Sequence, residues 1–137
     1  MTSLVRTPTH VQQLKAHPRK PGEASFFFFD QHFKYAAVKV LPGEFFVSDE
    51  DLLIMTVLGS CIAACIWDSR LRIGGMNHFM LPEGGADTSG RYGSYAMELL
   101  INELLRSGAR RDRLEAKLFG GARMFGGLSD VGASNAA

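Results

Sequence analysis

The sequence predicts an α/β domain, on the strength of three observations. Short strand-like runs recur at residues 52–58, 62–67, 73–81 and 114–119, the first with β-branched Ile54, Thr56 and Val57, each bounded by polar or glycine-bearing breaks. One segment has helical periodicity, with Met97, Leu100, Ile101, Leu104 and Leu105 at three- and four-residue intervals. The chain of 137 residues is one domain's worth, enough for a core but not for two ordinary domains.

In chain order, residues 1–24 form a basic leader. They carry Arg6, Lys15, Arg19 and Lys20 with three prolines and no acid before Glu23, a composition that reads as flexible. The domain proper is expected to run from 25 to 137. Phe26 to Phe29 are four phenylalanines in succession, a pattern expected to be covered on both faces. Residues 35–47 hold two extended pieces broken at Pro42-Gly43, a turn dipeptide. After an acidic connection at 48–51, residues 52–58 read as a strand buried on both faces, and 62–67 and 73–81 as two more.

Residues 83–93, with four glycines among Asp87, Thr88 and Ser89, read as a loop, and Ser94 as the cap of the helix that follows. Gly108 ends that helix, and the strand at 114–119 runs out at Gly120-Gly121. Nothing from 122 to 137 reads as closing a fold.

Composition narrows the function classes. Hydrophobic residues are 46% and charged residues 21%, with a net charge of +1, so charge selects no partner. Acids and bases interleave outside the leader and no nucleic-acid motif appears, which argues against nucleic acid. No apolar run approaches the roughly 18 residues of a membrane helix, so no membrane insertion is expected. The N-terminus lacks the pattern of a secretory signal, and the two cysteines, Cys61 and Cys65, would lie about 13 Å apart on one strand, beyond disulfide reach. Free thiols in a reducing cytoplasm are the expectation.

Cys61 ends a Leu-Gly-Ser turn and His78 lies in the next-but-one apolar run, so the two are expected to meet across neighbouring strands. A thiol attacks as its thiolate and an imidazole can take its proton, which makes such a pair the smallest unit of nucleophilic hydrolysis. Gly59 frees the backbone, and amides around Ser60 and Cys61 could face an oxyanion. Against this, cysteine in an apolar strand is usually packing, the reading given to Cys65. On residues alone, a generic α/β binding domain outweighs a cysteine hydrolase.

Four strings then carry a resemblance. Leu58-Gly59-Ser60-Cys61, the run Gly74-Gly75-Met76-Asn77-His78-Phe79-Met80-Leu81-Pro82, the helix end Leu104-Leu105-Arg106-Ser107-Gly108-Ala109, and Lys117-Leu118-Phe119-Gly120-Gly121-Ala122-Arg123-Met124-Phe125 resemble the chemoreceptor glutamine deamidase family of bacterial chemotaxis, CheD, as does Leu41-Pro42-Gly43-Glu44. The resemblance covers residues 33–136. It implies a layered α/β sandwich with a mixed sheet and flanking helices, here truncated at the C-terminus.

It also implies Cys61 as nucleophile and His78 as base, acting on receptor glutamines and on methyl glutamate esters without metal or organic cofactor. Gly59, Ser60, Gly120 and Gly121 would contact substrate. Methyl-accepting chemotaxis receptors are the implied partners, with a chemotaxis phosphatase as a second. The family's third catalytic residue is a threonine upstream of the cysteine, six positions before it in one pattern, where this chain has Met55. Thr56, five before, is the candidate, but on a continuous strand it faces the other way, so it orients His78 only through a bulge or another register. The rival readings are a non-catalytic docking module and an inactive fragment.

Overall fold

The computed structural model describes residues 8–80 and 86–121, for residues 86–92 the backbone alone. The order is α1 (Pro8–Ala16), β1 (Phe26–Asp30), β2 (Tyr35–Lys39), β3 (Phe45–Ser48), β4 (Leu53–Met55), β5 (Ile62–Asp68), β6 (Ile73–Phe79), α2 (Ala86–Arg106), a 3-10 turn (Arg111–Arg113) and β7 (Leu114–Gly120). Two sheets result, one in the order β1-β2-β4 and one in the order β3-β6-β5-β7. The first is mixed, because β1 and β2 are antiparallel while β2 and β4 are parallel; the second is antiparallel throughout the described pairs. The expected α/β sandwich with flanking helices is observed, built on two sheets.

Two apolar clusters hold these layers. Phe27 of β1, Ala36 and Val38 of β2, Val40 and Phe46 are buried together with Val11 of α1, and Ile54 of β4 and Met76 of β6 pack against them, so this cluster joins the two sheets. On the other face of the four-stranded sheet, Ala64, Ile66 and Ile73 meet Leu100 and Leu104 of α2. Gly75 is required there: a Cβ would stand 2.7 Å from the Phe46 carbonyl oxygen and 3.0 Å from Leu100.

The second cluster's edge is tied by Asp68. Fully buried at the end of β5, it accepts from Arg113 Nη2 at 3.0 Å and from the amides of Arg70 and Arg110 at 3.0 Å each. The Arg113 guanidinium, helped by those amides and opposed by burial, holds this carboxyl well below the usual carboxylate range.

Several expectations are corrected. The leader is not loose from residue 8 onward: α1 buries Val11, packs Leu14 on the core, and anchors buried His10 to Glu50 at 3.0 Å. Two apolar residues in a nine-residue helix are a weak periodic signal, and tertiary packing supplies the rest. The four phenylalanines are not covered on both faces. Phe27 is buried edge-on to Phe46 at 5.6 Å, whereas Phe26 on this edge strand is 50% exposed.

α2 begins at Ala86 rather than Ser94, so residues 86–93 are helical where a loop was expected; 83–85 and 122–137 lie outside the described residues. A helix nucleated by the Met97–Leu104 stripe extends at small cost per residue through weak formers, Gly93 among them, where a Cβ would meet the Phe79 ring only at an ordinary 3.6 Å. At the other end Gly108 (φ 110°) stops the helix as expected. Its amide donates to Leu105 O at 3.1 Å and that of Ala109 to Leu104 O at 3.0 Å, the paired bonds of a Schellman cap.

Finally, β4 is shorter than the expected run at 52–58 and only half-buried, ending at Met55. Its parallel ladder reaches only from Leu53 to Met55 against Ala37 to Lys39, because strand length is set by the partner.

Candidate active site

β5 and β6 are antiparallel neighbours, as expected, with Ala63 opposite His78 and Ala64 opposite Asn77. Side chains alternate across the sheet, so these two pairs face opposite ways. Asn77 points to α2, taking the Ala64 amide on Oδ1 at 2.9 Å and donating from Nδ2 to Ala96 O at 3.2 Å. His78 points the other way, toward the mixed sheet, and is 3% exposed.

There the imidazole meets the ends of β2 and β4. The Val40 amide donates to Met55 O at 2.8 Å, closing the ladder, and the next residue, Thr56, leaves the strand. The Thr56 hydroxyl donates to Val40 O at 2.6 Å, while His78 Nδ1 lies 2.8 Å from Thr56 Oγ1 and 3.3 Å from Val40 O. A hydroxyl has one proton, and this one is on the carbonyl; a carbonyl only accepts. Both neighbours of Nδ1 therefore require Nδ1–H, and in the neutral ring the lone pair falls on Nε2. That nitrogen is buried and has no hydrogen-bond partner among the described residues.

The backbone of His78 is held as firmly. Its amide donates to Glu44 O at 3.1 Å and its carbonyl accepts from Gly43 at 2.7 Å, while Glu44 Oε1 accepts the Leu41 amide at 3.0 Å and closes the turn. Gly43 adopts φ 86°, the left-handed conformation glycine takes without strain. This clamp and the Val40 carbonyl are the site components that residue-by-residue reasoning missed; the Pro-Gly turn after Leu41 was the available signal.

Cys61 lies immediately before β5, two residues from Ala63, the neighbour opposite His78. It is half-buried and free, and no hydrogen bond joins it to His78 Nε2. Gly120 and Gly121 are brought to it through the backbone: Gly121 N donates to Cys61 O at 3.0 Å, and a Cβ on Gly120 (φ 98°) would stand near 2.2 Å from that oxygen. Gly59 and Ser60 are exposed, with open space around Gly59.

Cys65 faces a separate cleft of about 310 Å³ lined also by Ile54, Trp67, Arg72 and Met76. Burial pushes its thiol pKa up, with Lys117 opposing, so it stays a thiol at neutral pH. Among the described residues no group of three or more His, Cys, Asp or Glu side chains could hold a metal ion, and no helix is long and apolar enough to cross a membrane.

Fold and site together define a two-sheet α/β protein in which a threonine hydroxyl fixes a buried imidazole at the strand end where a free cysteine enters the sheet. Comparison with known proteins adds what the chain is similar to. Residues 80–137 match the family model for CheD chemotactic sensory transduction. The chain is 68% identical over 124 residues to a protein of Albidiferax ferrireducens named "Probable chemoreceptor glutamine deamidase CheD 1", an alignment covering 90% of this chain and 53% of that protein. A protein of the same name from Burkholderia thailandensis is 54% identical over 114 residues, 79% of this chain and 49% of its own length. The chain is similar to the CheD family over residues 80–137, and it spans about half the length of the curated relatives it matches.

Proposed function

We propose that this chain carries the nucleophilic centre of a chemoreceptor glutamine deamidase. The Cys61 thiolate attacks the side-chain carbonyl carbon of a receptor glutamine, after its proton has passed to His78 Nε2. The resulting imidazolium returns that proton to the amide nitrogen, which leaves as ammonia, and a thioester remains on Cys61. Water, deprotonated by the again-neutral His78, hydrolyses the thioester to glutamate and restores the thiol. A glutamate methyl ester follows the same path with methanol as leaving group. Thr56 does no covalent chemistry; by holding Nδ1–H it keeps the basic lone pair on Nε2.

The single observation that carries this reading is the network at His78: Oγ1 of Thr56 at 2.8 Å on one nitrogen, and a buried, unpartnered Nε2 on the other. A buried polar atom without a partner is uncommon in folded proteins and calls for a role. The relatives' names support the substrate class, receptor glutamines. A chemotaxis phosphatase as second partner rests on the family resemblance alone.

Mass spectrometry of receptor helices incubated with the chain tests the proposal. A gain of about one mass unit at particular glutamines is expected, as NH2 is replaced by OH. Cys61→Ala and His78→Ala should each abolish the gain with the circular dichroism spectrum unchanged. Retained deamidation in either variant would sink the mechanism.

A further inference from the structure

Two turns of the chain are built alike. Leu41-Pro42-Gly43-Glu44 and Lys20-Pro21-Gly22-Glu23 share the Pro-Gly-Glu sequence, and in both the glycine is left-handed, at φ 86° and 80°. Each turn is closed by both the amide and the carboxylate of its glutamate. The Glu44 amide donates to Leu41 O at 2.9 Å, and Glu44 Oε1 accepts the Leu41 amide at 3.0 Å. In the other turn the Glu23 amide donates to Lys20 O at 3.0 Å, and Glu23 Oε1 accepts the Lys20 amide at 2.9 Å. What differs is the peptide unit that each carboxylate holds.

The Leu41 N–H shares its peptide unit with the Val40 C=O. That unit is planar and trans, so the two bonds point in opposite directions, and fixing one aims the other. Glu44 Oε1 stands at the N–H. At the other end Val40 O takes the Thr56 hydroxyl at 2.6 Å and lies 3.3 Å from His78 Nδ1. We propose that Glu44 is a positioning residue for His78, its carboxylate fixing, through the Val40–Leu41 peptide, the carbonyl that helps hold the imidazole.

The same carboxylate closes the turn whose Gly43 amide and Glu44 carbonyl clamp the His78 backbone, so ring and backbone are held from one point. Among the described residues Glu44 has no ion-pair partner, and the Leu41 amide is what its carboxylate binds. The ring's partners there are Thr56 and Val40; Arg19 O, the counterpart of Val40 O in the other turn, is not one of them. Glu23 is therefore a matched control, the same bond in the same turn without the imidazole behind it. The catalytic consequence rests on the deamidase reading, whereas the positioning itself does not.

NMR of the full chain with isotope-labelled histidine reads the positioning, and ammonia release from a receptor glutamine peptide reads its catalytic effect. In wild type the His78 ring proton, identified by its loss in His78→Ala, should sit on Nδ1 and exchange slowly. Glu44→Ala should speed that exchange and lower kcat by about tenfold each with KM little changed, a fraction of a general acid–base contribution because the Thr56 bond remains. Glu44→Gln keeps an oxygen for the Leu41 amide and should bring both back to within about threefold of wild type. Glu23→Ala should lower the melting temperature yet leave the ring proton and kcat as in wild type. Should Glu44→Ala fail to fold, Glu44→Asp, its carboxylate one methylene short of the Leu41 amide, is read in its place. A ring proton unmoved in that variant overturns the proposal, as does a glutamine variant no better than the one it should rescue, or a Glu23→Ala variant that loses as much kcat. A wild type that releases no ammonia refutes the deamidase reading alone, and the ring proton still decides the role of Glu44.

Discussion

Replacing Thr56 by valine removes one oxygen atom and keeps the β-branched shape. Two hydrogen bonds go with it, the 2.6 Å donation to Val40 O and the 2.8 Å acceptance from His78 Nδ1. Val40 O, 3.3 Å from Nδ1, can still accept from the ring, so the Nδ1–H tautomer is weakened rather than lost. The stability cost should be about 1–3 kcal/mol, one net hydrogen bond plus partial desatisfaction of a buried carbonyl. General acid–base catalysis by a positioned side chain contributes roughly 10²–10⁴-fold. With one of the ring's two acceptors surviving, Thr56→Val should lose about 10- to 100-fold in kcat with KM little changed, because in the proposed mechanism Thr56 positions the base and does not bind substrate.

The assay is steady-state ammonia release from a receptor glutamine peptide, with thermal unfolding measured in parallel. Thr56→Ser keeps the hydroxyl and should recover most of the activity. A folded Thr56→Val variant within about twofold of wild-type kcat, or a serine variant no better than the valine one, would refute the assigned role; the fold changes are set against the general acid–base contribution.

Other consequences follow from close approaches and buried charge. Gly120→Ala would force a Cβ to about 2.2 Å from the Cys61 carbonyl at φ 98°, so the backbone at Cys61 must shift, and deamidation should fall together with the melting temperature; an unchanged melting temperature contradicts the packing described. Gly75→Ala drives a Cβ against Phe46 O and Val47 at 2.7 Å each and should cost about 1–3 kcal/mol in denaturant unfolding. The depressed pKa of Asp68 gives a contribution to stability that is full above the unfolded-state value of about 3.9 and declines as pH falls below it. Asp68→Asn should therefore be less stable than wild type at neutral pH and show a flatter acid limb, read from melting temperatures between about pH 2 and 7; parallel curves would refute the linkage.

Much of the fold was legible where one physical signal dominates. The apolar stripe from Met97 to Leu104 has no competitor, and Gly108 stops the helix because the left-handed conformation it adopts excludes most side chains. The adjacency of β5 and β6 follows from two apolar runs joined by a short polar turn. What escaped depends on partners elsewhere in the chain. α1 stays on the sheet through Val11 and Leu14, contacts absent from local composition. The end of β4 was misread because an apolar run does not record where its neighbour stops.

That misreading bore directly on the site. A strand through residue 58 would turn Thr56 from His78, and neither a bulge nor a register shift resolves the conflict: the strand has ended at Met55, and strand alternation no longer governs the residue after it.

The Val40 carbonyl has a mechanical consequence. It continues β2 of the mixed sheet and accepts hydrogen bonds from Thr56, which follows β4 of that sheet, and from His78 of the antiparallel one. The ring is thus referenced to one layer while its backbone rides on the other, and its aim records their relative position. A slide of an ångström or so between the layers would stretch both bonds to Nδ1 past useful length without unfolding either sheet. Anything that grips one layer would act on the imidazole through this seam as a lever acts on a dial.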